Sequence, residues 1–538
     1  MAGEARRAAT LGLEATLLFA LYVLTARLGL SFFAVGGVAT PVWAPTGIAL
    51  GALTIRGRRL WPVVAAAAFA VNASIGLPLW SAALIACGNT MEALIGSSVL
   101  RLLGFERELG RLRDVLALLL VALGSTTVSA TVGFVAALTG GLHPRDGFGE
   151  LWAVWWVGDV MGALLVAPAI FVWSTACPRL SRHPLRWIEG LVLGVTLVLM
   201  TQVIFHRYPT LYAFRIVRGT YALFPPLIWA ALRFEQRGTT AALLLVAILA
   251  VPGAASGTGP FSGAPPEDRL VMVQFYMGVT VASMLTLGAA LAERRAALRA
   301  RDEFISIASH ELKTPLTALR LRVASAIEQA SGWSNGGGAS VERLARTLDA
   351  CDKASRRLVV LTDDLLDVSR LAGGRFPLHL EPCAVMDVVE EAVGRLRDQA
   401  AAARSSILVE GAPSISGVWD CSRLEQVLTN LLSNAIKYGD GKPIHVRASA
   451  KEGWLTIQVQ DGGQGIALAD QERIFRPFER VEDKKRVGGM GLGLYIGRQI
   501  AIAHGGRLTV QSAPPNGASF SLELPLAAPA SAAARTPA

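Results

Sequence analysis

Lysine is missing from residues 1–295 of this 538-residue chain, although the whole carries 51 Lys+Arg. There 22 Arg stand against 14 Asp+Glu, a balance of +8, while residues 296–538 hold 29 Lys+Arg against 27 acids, or +2. The basic excess therefore lies in the apolar half, where loop charges account for it, and a nucleic acid partner is set aside. Charge of either sign is scarce, 17% of residues against 52% hydrophobic, which excludes one soluble domain. Only five Cys occur, Cys87, Cys177, Cys351, Cys383 and Cys421. Their scatter excludes metal spacing and a disulfide framework and predicts isolated thiols. A P-loop and the glycine-rich loop of Ser/Thr kinases are absent too. Long polar loops are missing from the first half, so no extracytoplasmic sensor domain fits there.

What the first half has is apolar runs. Candidate spans lie at about 11–31, 40–55, 60–79, 82–103, 115–139, 151–174, 187–206, 220–232, 239–254 and 270–292, predicting eight to ten membrane crossings. Arg6-Arg7 and the run after it read as a retained first span. With the N-terminus inside, inner loops hold 18 Arg and outer loops 5, which obeys the positive-inside rule and puts residue 296 onward in the cytoplasm. Glu14, Asn72, Asn89, Glu92 and Asp159 fall within spans. Ionisable groups at that depth are costly and line sites or tie helices together. The motifs Trp43-Ala44-Pro45-Thr46-Gly47, Trp61-Pro62 and Trp155-Trp156-Val157-Gly158-Asp159, with Gly162 and Pro168, resemble the MASE group of bacterial integral membrane sensors.

Beyond this half a helical pattern continues without an intervening module. At about 100° per residue, Phe304, Ala308, Leu312, Leu316 and Leu319 share one side, and His310, Thr314 and Thr317 the other. So His310 is presented to solvent, with Glu311 beside it and Thr314 one turn on. A solvent-facing imidazole, neutral near pH 7, suits nucleophilic or acid–base work. Pro315 deletes the N–H that would bond the Glu311 carbonyl, which predicts a kink. A glycine-rich turn at 331–338 leads to a second helix from Ser340 to Ala372, and Gly373-Gly374 stops it. Its inner stripe is Leu344, Leu348, Cys351, Leu358, Leu361, Leu365 and Val368; Asp363, Asp364 and Asp367 read as solvated. Two such helices cannot bury both stripes alone, so a homodimeric four-helix bundle is expected. His310-Glu311-Leu312-Lys313-Thr314-Pro315-Leu316 resembles the H box of bacterial sensor histidine kinases, whose His domain is a homodimer.

Residues 375–528 alternate short strands (377–380, 407–409, 444–448, 455–460, 507–511, 519–524) with helices (384–403, 420–437, 492–504), an α/β sandwich of mixed order. Four boxes stand out. Asn430, Asn434 and Lys437, followed by Tyr438, share a helix face; amide oxygens suit Mg²⁺, and the Lys suits phosphate. In Asp461-Gly462-Gly463-Gln464-Gly465-Ile466 a carboxylate is placed to accept from an adenine amino group while glycines let the backbone turn. Phe475 to Phe478 is an aromatic anchor for a lid. Gly488-Gly489-Met490-Gly491-Leu492-Gly493-Leu494 opens a helix, so free N–H groups face phosphates.

In this order, after an H box, the four resemble the N, first glycine, F and second glycine boxes of the GHKL ATPases, with Gly517-Ala518-Ser519-Phe520 similar to the last box. The resemblance implies ATP and Mg²⁺ as cofactors, Asn434 with Asn430 as metal ligands, and Asp461 as adenine reader. It implies nucleotide contacts from Asn430, Asn434, Lys437, Tyr438, Asp461, Gly463, Gly465, Ile466, Phe478, Gly489, Gly491, Leu492, Gly493, Leu494 and Ser519. His310, Glu311 and Thr314 are the expected catalytic residues. The expected protein is multidomain: a polytopic α-helical membrane sensor domain (1–295), a dimerisation and phosphotransfer hairpin (296–373), an ATP-binding domain (375–528) and a disordered tail (529–538). The expected function is that of a sensor histidine kinase of the inner membrane, autophosphorylating on His310 and passing the group to an Asp of a separate receiver, with phosphatase activity through Glu311 and Thr314. Expected partners are a second copy, the receiver and membrane lipid. The alternatives are a transporter or a binding scaffold with a regulatory ATPase-like tail.

Overall fold

The computed structural model describes residues 2–33, 40–140, 148–175, 184–206, 219–334, 341–372, 378–479 and 491–527. The chain divides into two compact units, Met1–Ala300 and Arg301–Ala538.

The first unit is helical: α1 (Ala2–Phe33), α2 (Ala44–Arg56), α3 (Trp61–Ser74), α4 (Leu79–Leu102), α5 (Leu112–Thr139), α6 (Phe148–Ser174), α7 (Pro184–Phe205), α8 (Phe224–Ala255) and the start of α9 (Pro266–Ser334). Pro45 and Pro62 sit in the first turns of α2 and α3, where the missing N–H costs nothing. Among the described residues seven helices are long and apolar enough to cross a membrane, not the eight to ten expected. The difference has two sources. Helices α2 and α3 have 13 and 14 residues, about 20 Å at 1.5 Å per residue, short of a hydrocarbon core of about 30 Å. The segments expected at 220–232 and 239–254 are two helical stretches within α8 that part at Glu235 (φ 56°, ψ −156°), and they enter the seven as one.

Short α2 lies on α6 with backbone against backbone. A Cβ on Gly47 would strike the Gly162 carbonyl, and one on Gly162 would strike the Trp43 carbonyl. The glycines of the two sequence motifs therefore serve one close helix crossing.

In the second unit, the rest of α9 and α10 (Val341–Ala372) form a hairpin joined by a bond from Arg322 Nη1 to the Ala350 carbonyl at 3.0 Å. The helix runs through Pro315. Residues 331–334 of the expected turn continue α9 to Ser334, while residues 335–338, the expected stop at Gly373-Gly374 and the tail lie outside the described residues. Asp367 is not solvated: it is 5% exposed and accepts from Arg423 Nη1 at 2.6 Å and Gln426 Nε2 at 3.0 Å.

Next come β1 (Glu381–Ala384), α11 (Val385–Ala402), β2 (Ile407–Gly411), β3 (Ser416–Trp419), α12 (Cys421–Tyr438), β4 (Ile444–Lys451), β5 (Trp454–Gln460), α13 (Gly493–Ala503), β6 (Arg507–Ser512) and β7 (Ala518–Pro525). Five strands make a sheet in the order β2-β4-β5-β7-β6, with β2–β4 parallel and the other pairs antiparallel. The first strand forms at Glu381–Ala384, paired with β3; residues 378–380 of the strand expected at 377–380 are not in a strand, and residue 377 lies outside the described residues. The apolar stripe of α12 (Leu424, Val427, Leu428, Leu431, Leu432, Ala435) lies in one core with Val446, Ile457, Val459 and Leu522 of the sheet.

Cys383 and Cys421 are joined as a disulfide across 38 residues, against the expectation of isolated thiols. The β1–β3 ladder sets Cys383 opposite Gly417, four residues before Cys421. Cys87 and Cys351 are free, and Cys177 lies outside the described residues.

Candidate functional site

His310 projects from α9 into solvent, its side chain 82% exposed. Ala308 is buried, and Phe304 and Leu312 pack on the nucleotide-domain core, so the imidazole points away from the packed face. Glu311 Oε1 lies 3.7 Å from His310 Nδ1. The Thr314 hydroxyl donates to the His310 carbonyl at 3.3 Å. Leu316, expected on the inner side, is 58% exposed in the single chain.

The amphipathic pattern of α12 fixes the second group of residues. Asp420 caps it by accepting from Arg423 N–H at 3.1 Å, and the buried Leu/Val stripe turns Asn430 and Asn434 to the half-buried flank. Asn430 Nδ2 reaches the Gly493 carbonyl at the start of α13, 3.4 Å away. Gly463 and Gly439 bring the Asp461 loop against the last turn of α12: Cβ atoms there would meet Tyr438 and Ala435 carbonyls. Three boxes distant in sequence thus converge around the C-terminal half of α12.

Asp461 is 7% exposed. Its Oδ1 accepts from Gly463 N–H at 2.9 Å and Ala518 N–H at 3.3 Å. Burial pushes its carboxyl up, and the two N–H donors pull the other way. Ile466 N–H donates to Ser512 Oγ at 2.7 Å, and Gly465 has φ +77°, a value that favours glycine. The buried carboxylate has an oxygen outside those two bonds, which suits recognition of an amino group. The Asn430 and Asn434 amides offer oxygens to Mg²⁺, and the donor set therefore fits a Mg²⁺–nucleotide.

Phe475 is buried in the core, and the Arg498 guanidinium lies 5.0 Å from the centre of its ring. Phe478 meets Phe304 edge to face at 5.6 Å, and its N–H donates to the Gly491 carbonyl at 3.2 Å. Phe304 precedes His310 by six residues, about 9 Å of helix. The aromatic box is thus an anchor on the His-bearing helix. Leu492 is buried; Lys437 and Tyr438 are exposed; Gly489 and most of the charge run 479–486 lie outside the described residues.

Ser519 lies on the half-buried face of β7. Its hydroxyl accepts from Gln458 Nε2 at 2.8 Å, and on β7 buried and half-buried residues alternate, which puts Ser519 on the opposite sheet face from Ala518 and Phe520. The neighbouring Ala518 donates its backbone N–H to Asp461 Oδ1 at 3.3 Å. Sequence reasoning also missed Lys442, whose Nζ donates to the Gly462 carbonyl at 2.7 Å. A lysine in a short loop gives no signal of that contact.

Three family models match the chain: MASE1 over residues 13–295, the His Kinase A (phospho-acceptor) domain over 300–374, and the histidine kinase-, DNA gyrase B- and HSP90-like ATPase over 419–528. The alginate biosynthesis sensor protein KinB of Pseudomonas aeruginosa is 35% identical over 267 residues, 48% of this chain and 43% of that protein. The sensor-like histidine kinase SenX3 of Mycolicibacterium smegmatis is 35% identical over 229 residues, 42% of this chain and 57% of that protein. The match thus spans about half the length of these relatives. The solved histidine kinase AdeS of Acinetobacter baumannii is 24% identical, covers 40% of this chain and 98% of its own, and superposes with a TM-score of 0.32, too low to carry an argument. The apolar helices and the MASE1 match make this a multi-pass membrane protein with its C-terminal portion in the cytoplasm. With that match covering more than half of its length, the chain belongs to the MASE1 family, joined here to a His Kinase A domain and a histidine kinase-type ATPase domain.

Proposed function

We propose that this is a homodimeric sensor histidine kinase that moves the γ-phosphoryl group of ATP to His310 and then to an Asp of a separate receiver protein. The observation that carries the reading is the pairing, within one unit, of an outward-facing His310 with the converged Asn430, Asn434, Asp461 and Gly493. Asp461 reads the adenine amino group, and the start of α13 receives the phosphates. Asn434 and Asn430 would hold Mg²⁺, which would supply charge neutralisation on the phosphate oxygens. Glu311 sits on the Nδ1 side of His310, so an Nδ1–H directed at its carboxylate leaves the Nε2 lone pair outward as nucleophile. The new bond joins nitrogen to the γ-phosphorus, the bond to the β-phosphate oxygen breaks in line, and ADP leaves; the departing imidazole proton is held by Glu311. In the return direction, Thr314 lies one turn from His310 and orients water on the phosphorylated receiver. Exposed Leu321, Ile327, Leu348 and Val359 on the hairpin support pairing with a second copy.

The test is labelling of the full-length protein with γ-labelled ATP. Wild type acquires acid-labile label; His310→Gln acquires none while still binding nucleotide; Asn434→Ala loses Mg²⁺-dependent binding by at least about tenfold. Acid-labile label on His310→Gln would refute the assignment.

A further inference from the structure

The Cys383–Cys421 pair lies in the cytoplasmic portion of the chain. Cytoplasmic thiols are kept reduced, and a disulfide found there is as a rule transient or redox-sensing. The two Cα atoms are 6.0 Å apart, a separation from which a bridge forms without backbone movement. The fold does not depend on that bridge, because Trp419, Leu424, Val427 and Val389 already close the core around it.

What the two sulfurs join is a junction. Cys383 belongs to β1, the first strand after the hairpin, and Cys421 is the first residue of α12. Strand β1 pairs with β3 alone, apart from the five-stranded sheet. A two-stranded ribbon is marginal by itself. Just before it, His379 N–H donates to Asp420 Oδ2 at 3.0 Å. Asp420 Oδ1 takes the Ser422 hydroxyl at 2.7 Å and Arg423 N–H at 3.1 Å, and Arg423 in turn holds Asp367 of α10. The segment that leaves the hairpin is thus laid along the start of the helix that presents Asn430 and Asn434. Cys383 is 3% exposed and Cys421 is half-buried, so a small reagent meets Cys421 first.

We propose that Cys383 and Cys421 form a reversible thiol–disulfide site, oxidised by a low-molecular-weight disulfide, that staples the β1 segment to the start of α12. Cys421, as thiolate, attacks one sulfur of the small disulfide; its S–S bond breaks, and one small thiol leaves with a proton. Cys383, deprotonated in turn, attacks the Cys421 sulfur of the mixed disulfide, and the second small thiol leaves. Two cysteines give up two electrons and two protons, and one small disulfide becomes two thiols. Excess small thiol runs the sequence backward. The bridge spans 38 residues of chain, and closing that loop removes freedom from the opened state. The ribbon and the first turn of α12 therefore open less often when it is in place. The site goes beyond the kinase reading and does not rest on it.

The test is redox titration of the full-length protein in lipid nanodiscs. Mixtures of glutathione and glutathione disulfide run from the poise of a cytosol to one in which the disulfide predominates. Acid quenching, alkylation of free thiols and peptide mass spectrometry read each cysteine. Cys383 and Cys421 should pass together from dithiol to mutual disulfide in one two-electron transition. Amide exchange over residues 379–384 and 416–424 should be at least about fivefold slower in the oxidised form. In Cys421→Ser that difference should vanish while Cys383 stays a thiol throughout. A pair still bridged at the reducing end, or still open at the oxidising end, would overturn the proposal. So would equal exchange in the two wild-type states, or redox-dependent exchange retained in Cys421→Ser. The wild-type titration decides the matter even if the variant fails to fold. Phosphorylation plays no part in these readouts, so their outcome is independent of the proposed kinase activity.

Discussion

His504 has its ring fully buried, with both nitrogens engaged. Nε2 accepts the Asp420 N–H at 3.0 Å, and Nδ1 lies 2.8 Å from the Ile500 carbonyl, to which it donates. That pairing requires the neutral ring, and it links the last turn of α13 to the cap of α12. Burial lowers the imidazole below its ordinary range, while the Ile500 carbonyl and the Asp420 charge oppose it. The folded-state value therefore lies below the unfolded one. Stability is fully present above the unfolded value, about 6.5, and is lost as pH falls from there through the folded value. Thermal midpoints of the nucleotide domain in the full-length protein should fall as pH drops from 8 to 5.5. His504→Gln should cost about 1–2 kcal/mol of stability at pH 8, lower the midpoint there and flatten the pH slope. An unchanged slope in that variant would place the titration elsewhere. Nothing near His504 in sequence announces this role, because its decisive partner is 84 residues upstream.

Among the elements, α12 carries the most. Its hydrophobic stripe builds the core, its cap is tied to α13, and its flank presents Asn430 and Asn434. It is also tied to the hairpin: the buried Asp367 of α10 holds Arg423 and Gln426. Asp367→Ala removes a largely desolvated charge pair, and a loss of about 2 kcal/mol is expected. It should appear in denaturant unfolding and as faster amide exchange at the end of α10 and the start of α12. Exchange confined to α10 would mean that the two helices are not coupled through this pair. From sequence Asp367 belonged to an acidic run, and acidic runs are ordinarily solvated. What separates it from Asp363 is only which helix face meets Arg423.

At the scale of the whole molecule, the hairpin leaves apolar side chains uncovered. Leu321 is 63% exposed and Leu348 53%, near the level at which Arg322 reaches Ala350. A second copy would bury them. Leu321→Glu combined with Leu348→Glu should halve the mass seen by light scattering in detergent while nucleotide binding stays unchanged. A dimer that survives both charges would mean that the pairing surface lies elsewhere.

The helices and strands of both units were legible because each carries a local period: 3.6 residues on α12, two on β7, long apolar runs in the membrane half. The boxes were legible because phosphate and adenine chemistry needs particular residue types at fixed spacing. Tertiary structure alone decided that α2 and α3 are too short to cross, that Cys383 meets Cys421, and that Ala518 rather than Ser519 donates to Asp461. Each of these depends on a partner far along the chain or on a shift of one residue, and local pattern carries neither. Composition placed Glu92 and Asp159 in the membrane; only packing set Asp159 against Thr46 in the first turn of the short helix α2.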